Sequence, residues 1–217
     1  MSEVKELPIL FSAPMIRAIL NGTKTQTRRI VKPQPPAGFD RGCWFDFPVY
    51  GWTNEEPPTD VWHKAKFRYG EVGDRLWVRE THSISPPLHR RPISNPAGYP
   101  DVKYKATDLR SSWDDGKWTP SIHMKRVNSR IDLEVVKMWV ERLNDISEAD
   151  AIAEGVRELP LQKGEPGAWW TGDVSKGDKT YSRTPIAAYR KLWEIINGTD
   201  SWKANPWVWC ISFRRVV

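Results

Sequence analysis

Residues 22–28, GTKTQTR, combine side chains suited to nucleophilic catalysis. The six positions from Lys24 to Arg29 hold one lysine, two threonines and two arginines. A threonine hydroxyl is a poor nucleophile until a neighbouring base removes its proton, and a lysine acts as that base when burial or nearby cations lower its pKa. A basic, solvated connector after a helix explains the cluster equally well, because cations near a helix C-terminus also satisfy free carbonyl groups.

The residues before and after this cluster predict the elements that position it. Ser12 and Pro14 are typical of a helix start, and Gly22 supplies a left-handed residue that ends a helix. Between them, apolar residues recur at helical spacing, at Ile16, Ile19 and Leu20. The β-branched residues of 25–31 favour a strand. The cluster is therefore expected to span the connection between the end of a helix and the start of a strand.

A second cluster lies in residues 146–156, ISEADAIAEGV. Ser147, with Asp150 three residues later, indicates a helix start, and Gly155 indicates its end. Glu154 then falls in the last turn, near the negative end of the helix dipole and on the same face as Asp150. The helix dipole and the Asp150 charge would both favour the protonated form of Glu154, as suits an acid or base that works near neutral pH. A surface glutamate in an unfavourable position is the alternative explanation.

Two further groups carry side chains suited to nucleic acid. In RLWVRE, strand alternation places Trp77 and Arg79 on one face, where they could stack on a base or form a cation–π pair. In SIHMKRVNSR, alternation places His123 and Lys125 on one face and Arg126 and Arg130 on the other. These side chains could contact phosphate or base, or form a basic edge that discourages sheet pairing.

The composition favours one globular domain with a polyanionic partner. The 217 residues include 33 Lys and Arg against 27 Asp and Glu, for a net charge of +6. Most of the 13 tryptophans are expected to fill the core, although indole also stacks on bases. Cys43 and Cys210 are predicted to be unpaired thiols in a reducing cytosol.

The sequence also predicts a soluble, cytoplasmic protein with no metal and no cofactor. The four histidines lack the spacing of a zinc site on a helix. No basic leader precedes an apolar core at the N-terminus, and no run of eighteen apolar residues occurs, so no membrane partner is expected.

The periodic segments predict a single α+β domain, residues 1–217, with a mixed or antiparallel barrel-like sheet. The predicted strands lie near residues 9–11, 25–31, 75–80, 129–142 and 207–214, and the predicted helices end at Gly22 or follow Ser147 and Thr184. Three insertions rich in Pro, Gly and Trp separate them, at about 32–69, 81–118 and 157–183. Their tryptophans indicate packed excursions rather than disorder.

Five blocks of the chain, taken in order, resemble the ASCH family of small PUA-like β-barrel proteins, in particular its longer members from bacteriophages and prophages. The blocks are ILFSAPMIRAILNGTKTQTRR, GDRLWVRE, SIHMKRVNSRI, VERLNDISEADAIAEGV and AYRKLWEIINGTDSWKANPWVWCISFRR. Gly22, Lys24 and Arg28 match the family's Gly-x-Lys and downstream Arg. The resemblance implies a barrel with flanking helices that binds RNA, DNA or a modified nucleoside in the cytoplasm of a bacterial host.

A compact bacterial enzyme of that family hydrolyses the acyl amide of N4-acetylcytidine with a lysine, a threonine and a glutamate. Lys24, Thr27 and Glu154 match those positions, which implies that Lys24 activates Thr27 and that Glu154 protonates the departing nitrogen or orients Lys24. Because a regular strand would point Lys24 and Thr27 to opposite faces, their convergence requires a bend after Gly22. The predicted substrate-binding residues are Arg28, Arg29, Trp77, Arg79, His123, Arg126 and Arg130.

Other functions fit the same residues. A phage RNA- or DNA-binding module without turnover would use the basic residues to contact phosphate. A metal-independent ribonuclease would use Lys24, His123 and the arginines around a scissile phosphate. A structural role in the virion is a further alternative. The chain is about twice as long as the compact enzyme, so its insertions could close over a larger substrate or block a small one.

Overall fold

A computed structural model describes residues 3–44, 49–53, 63–84, 102–108, 117–159, 168–170 and 181–216. Within these ranges the α-helices are α1 (Ala13–Leu20), α2 (Glu148–Ala153) and α3 (Pro185–Asn197). The strands are β1 (Glu6–Leu10), β2 (Gln26–Ile30), β3 (Arg41–Trp44), β4 (Val49–Thr53), β5 (His63–Lys66), β6 (Arg75–Arg79), β7 (His82–Ile84), β8 (Val102–Tyr104), β9 (Asp132–Arg142), β10 (Arg157–Leu159), β11 (Ala168–Trp170), β12 (Tyr181–Ser182) and β13 (Trp207–Val216).

The largest sheet has five strands in the order β1-β6-β9-β13-β2. β1 and β6 run parallel, and every other neighbouring pair in this sheet is antiparallel. The predicted α+β class is therefore confirmed, and the sheet is mixed. Its inner face supplies the main core, which includes Ile9, Leu76, Leu133, Val135 and Ile211.

The two edges of this sheet curl toward each other. Arg29 on edge strand β2 donates a hydrogen bond from Nη2 to the carbonyl oxygen of Leu10 on edge strand β1, at 2.7 Å. The rings of Phe11, which follows β1, and Phe213 in β13 lie 6.0 Å apart. In the described part of the chain the sheet nevertheless forms no closed barrel, since β1 and β2 do not pair with each other.

The connection from α1 to β2 contains the bend that the sequence required. Gly22 has φ of +74°, and the amides of Thr23 and Lys24 both donate to the Ala18 carbonyl oxygen. Lys24 therefore lies before the regular part of β2, which begins at Gln26. The predicted helix is confirmed with Ser12 at its N-cap, although the Ser12 side chain makes no capping hydrogen bond.

The predicted strand at 129–142 starts later than expected, at Asp132. Two short 3-10 turns, Ser121–His123 and Arg126–Asn128, precede it. The prediction that His123 and Arg126 occupy opposite faces of a strand is therefore wrong, because this segment makes local turn hydrogen bonds instead of a sheet ladder.

The helices α2 and α3 form where their caps predicted. Ser147 and Asp150 make a reciprocal capping box at the start of α2. The Thr184 side chain accepts a hydrogen bond from the Ala187 amide at the start of α3. The two helices share a second core with β13, built around Leu143, Ala151, Ala188, Trp193 and Cys210. None of the described helices is both long enough and apolar enough to cross a bilayer.

Each predicted insertion contributes a small antiparallel sheet: β3-β4-β5, β7-β8 and β10-β11-β12. Trp52 in β4 is fully buried, with its ring 5.8 Å from that of Trp207 and 6.3 Å from that of Trp209. The first insertion is thus packed onto the main sheet through Trp52, as predicted.

Candidate active site

Lys24 and Glu154 form a buried ion pair. Lys24 Nζ lies 2.6 Å from Glu154 Oε2, and their side chains are 0% and 3% exposed. The same nitrogen donates to the carbonyl oxygens of Gln26 at 2.7 Å and of Glu154 at 2.9 Å. An ammonium group has three N–H donors, so all three are used.

The backbone holds this pair in place. Lys24 and Glu154 form an isolated antiparallel bridge, and the Thr25 amide donates to the Ala153 carbonyl oxygen at 2.8 Å. Gly155, just after α2, has φ of +102°, and a Cβ there would lie 3.3 Å from the Ala18 Cβ and 3.4 Å from the Lys24 Cβ. The glycine therefore permits the end of α2 to approach the bend after α1.

Arg28 extends the pair into a buried network. Its Nε and Nη2 donate to Glu141 Oε1 at 2.9 and 2.7 Å. Its Nη1 lies 3.4 Å from Glu154 Oε1, and its Nη2 lies 3.6 Å from Asp150 Oδ2. The Tyr189 hydroxyl donates to Glu154 Oε1 at 3.3 Å. Glu154 thus contacts two cations and a phenol.

This arrangement corrects the expected surroundings of Glu154. The sequence predicted that the end of the helix dipole and Asp150 surround Glu154, whereas Asp150 accepts hydrogen bonds from Gln26 at 2.9 Å and from Ser147 at 2.7 Å. The contacts of Glu154 come from Lys24, Arg28 and Tyr189. All three lie outside the helix that local spacing described.

Burial shifts the pKa values of Lys24 and Tyr189. Desolvation lowers the pKa of Lys24, assisted by the nearby charges of Arg29 and Arg28 and opposed by Glu154. Desolvation raises the pKa of Tyr189 well above its usual value, and the Glu154 charge adds to the shift. Tyr189 therefore remains a neutral hydrogen-bond donor across the physiological range.

A pocket of about 310 Å³ opens beside the network. Its polar lining includes Thr27, Arg28, Arg29, Lys32, Glu154 and Tyr189. Thr27 is 2% exposed and Glu154 is 4% exposed, so both lie at its inner end. Lys24 is not among the described lining residues, but its ammonium group is hydrogen-bonded to Glu154, which is. The volume is at the small end of the range for small-molecule sites.

Four of the ten predicted site residues line the pocket: Thr27, Arg28, Arg29 and Glu154. Lys24 does not line it but is hydrogen-bonded to Glu154. The five others, Trp77, Arg79, His123, Arg126 and Arg130, do not line it. Arg79 Cζ lies 4.7 Å from the buried Trp77 ring, which favours the cation–π alternative.

The two arginines before β9 are both held by carboxylates. Arg126 binds Glu6 at 2.9 Å and Asp132 at 3.0 Å. Arg130 binds both oxygens of Glu80, at 2.8 and 3.1 Å, and stacks 3.9 Å from the Tyr104 ring centroid. The favoured explanation for both arginines is therefore structural, and His123 is exposed on a separate turn.

Three residues of this region were not selected from the sequence. Tyr189 lies among the buried residues of α3, where spacing alone cannot show that its hydroxyl reaches a carboxylate. Glu141 is the penultimate residue of β9, next to Arg142, and no local pattern indicates its contact with Arg28. Lys32 follows β2 and was assigned to the first insertion.

Comparison with family models, with curated proteins and with solved structures found no match to this chain. Among the described residues, no three His, Cys, Asp or Glu side chains are grouped so as to hold a metal ion.

Proposed function

We propose that this chain is an ASCH-type, PUA-like protein whose pocket hydrolyses the N4-acyl amide of a cytidine-type base. The observation that carries the proposal is the buried Lys24–Glu154 pair, with Glu154 and Thr27 lining one small pocket. The set comprises a hydroxyl nucleophile, a carboxylate able to exchange a proton and a cation that holds the carboxylate.

The reaction proceeds in two balanced steps. The Thr27 oxygen attacks the acyl carbon, and the Lys24–Glu154 pair takes the Thr27 proton. The C–N bond then breaks, and the same proton passes to the departing cytosine N4. Water next cleaves the acyl-threonine ester, which releases the carboxylic acid and restores the hydroxyl.

Burial of the pair supports this chemistry. A hydrogen bond of 2.6 Å joins Lys24 Nζ to Glu154 Oε2, and desolvation lowers the pKa of Lys24, so this ammonium group is a stronger proton donor to the carboxylate than an exposed lysine is. The Tyr189 hydroxyl, held neutral, keeps the other carboxylate oxygen oriented.

The test is acetate release from N4-acetylcytidine by the wild-type protein and two Thr27 variants. Thr27→Val keeps the buried volume but removes the hydroxyl, and Thr27→Ser keeps the hydroxyl. We expect turnover in the wild type, partial turnover in Thr27→Ser and none in Thr27→Val, with thermal unfolding showing that both variants fold. Unchanged turnover in Thr27→Val would remove the nucleophile, and no turnover in the wild type would remove the amidohydrolase.

A binding module without turnover is the second candidate, and the saturation of Lys24 favours it. All three N–H groups of Lys24 and both ends of the Arg28 guanidinium are engaged, as in a static scaffold. This candidate expects cytidine to bind while N4-acetylcytidine remains intact. The ribonuclease alternative gains no support, because His123 does not line the pocket.

A further inference from the structure

We infer that the pocket prefers a phosphorylated nucleoside to a neutral one, and that Arg29 and Lys32 hold its phosphate ester. The inference rests on the proposed function, which assigns the base to this pocket. It adds the charge of the ligand and the residues that recognise that charge.

The first step is a comparison of the cations around the pocket. Lys24 and Arg28 are committed to three carboxylates, those of Glu154, Glu141 and Asp150. The buried network therefore offers a ligand no surplus positive charge.

Arg29 and Lys32 differ from those two cations. Both line the pocket, and within the described ranges neither lies within ion-pair distance of a carboxylate. A neutral nucleoside would give these two charges no partner, whereas a phosphate ester would pair with both.

The Arg29 guanidinium is held ready for an anion. Its Nη2 donates to the Leu10 carbonyl oxygen at 2.7 Å, and its Cζ lies 5.2 Å from the Phe11 ring centroid. One of its five N–H groups is used in this way, and the others remain for a ligand. A guanidinium already fixed by a stack and a hydrogen bond loses little rotamer freedom when it binds phosphate oxygens.

A gradient of burial orients the ligand. Thr27 and Glu154 at the inner end are 2% and 4% exposed, Arg29 is half-buried, and Lys32 is exposed. The apolar wall from α3 includes Leu192 and Ile196. A base at the inner end therefore directs its sugar phosphate outward, to Arg29 and Lys32.

Calorimetric titration of the wild-type protein at low salt tests this inference without requiring turnover. The probes are cytidine, cytidine 5′-monophosphate, cytidine 3′-monophosphate and a short oligocytidylate. One of the monophosphates should bind about tenfold more tightly than cytidine, as expected for a charge-assisted contact. Arg29→Met and Lys32→Met should each remove most of this gain.

The matched control is Lys125→Met, which removes an exposed lysine that does not line the pocket and should leave the gain intact. Tighter binding of the oligocytidylate than of the monophosphates, lost in the same two variants, supports the inference with a strand as the source of the phosphate. Equal affinity for cytidine and all phosphorylated probes overturns it. So does the absence of binding by every probe, or an equal loss in Lys125→Met.

The two proposals fail separately. If the wild-type protein releases no acetate but shows an Arg29-dependent preference for phosphorylated probes, the proposed hydrolysis is rejected and the phosphate site is retained. Acetate release from N4-acetylcytidine with no such preference keeps the hydrolysis and removes the phosphate site.

Discussion

Replacing Lys24 with methionine removes the charge from a fully buried pair while keeping a side chain of similar length. Removal of one partner from a buried ion pair costs about 3–5 kcal/mol, because the other charge is left uncompensated. Here Glu154 keeps Arg28 Nη1 at 3.4 Å and the Tyr189 hydroxyl at 3.3 Å, which places the expected loss at the lower end, about 3 kcal/mol. Urea unfolding, with an unchanged dependence on denaturant, measures this loss.

The coupling between the two partners is a sharper quantity than either single loss. In Glu154→Gln, Lys24 keeps the carbonyl oxygens of Gln26 and residue 154, so we expect a smaller loss, about 2 kcal/mol. The double variant should lose about 2 kcal/mol less than the sum of the two singles, because neither charge is then left without the other. Additivity within about 0.5 kcal/mol would refute the argument from buried charge.

An exposed ion pair provides the control for this cycle. Arg214 Nη2 lies 2.9 Å from Glu134 Oε2, with side chains 70% and 30% exposed. Solvent screening limits such a pair to less than about 1 kcal/mol, so Arg214→Met should cost far less than Lys24→Met. Equal losses at the two sites would mean that burial has no influence on the cost.

Three further predictions concern the same network. Since the pKa of Lys24 is lowered from 10.5, the unfolded chain binds its proton more tightly, and raising the pH between the lowered pKa and 10.5 stabilises the folded state. The difference in unfolding free energy between wild type and Lys24→Met should therefore grow with pH across that interval, and a flat difference would contradict the lowered pKa. Tyr189→Phe removes the donor to Glu154 Oε1 and should cost about 1 kcal/mol in urea unfolding; its turnover number should fall while KM is unchanged, and unchanged kinetics would leave Tyr189 a packing role only. Gly155→Ala should lower the free energy of unfolding by about 1 kcal/mol more than Gly198→Ala does. The two glycines have similar φ values, +102° and +99°, but only a Cβ at position 155 would lie within 4 Å of other atoms. Equal losses would mean that the close approach of α2 to the bend is unimportant.

Local signals in the sequence predicted the helices well. Capping at Ser147 and at Thr184 involves residues three positions apart, so the signal is contained in a few neighbouring letters. The start of β9 was less predictable, because residues 126–128 form a 3-10 turn whose hydrogen bonds leave no mark on the alternation of apolar residues. The sheet order also depends on pairings between distant segments, which no local pattern specifies.

The candidate site was predictable only in part, because its contacts also join distant segments of the chain. Lys24 and Glu154 are 130 residues apart, and only the resemblance to a family joined them before the structure did. Arg28 was predicted to contact substrate, but its guanidinium is buried against Glu141, a partner on a strand two positions away in the sheet. Trp77 and Arg79 were correctly placed on one face, yet alternation could not show that they contact each other instead of a ligand.

In the proposed hydrolysis, the geometry of Glu154 bears on which atom exchanges the proton. Lys24, as an ammonium with three acceptors, has no lone pair with which to take a proton from Thr27. Oε2 of Glu154 is held tightly by that ammonium at 2.6 Å, whereas Oε1 has contacts of 3.3 and 3.4 Å from Tyr189 and Arg28. Oε1 is therefore the less tightly held oxygen of a carboxylate whose residue lines the pocket. We therefore expect Oε1 of Glu154 to take and return the proton, with Lys24 as the cation that fixes the carboxylate in place.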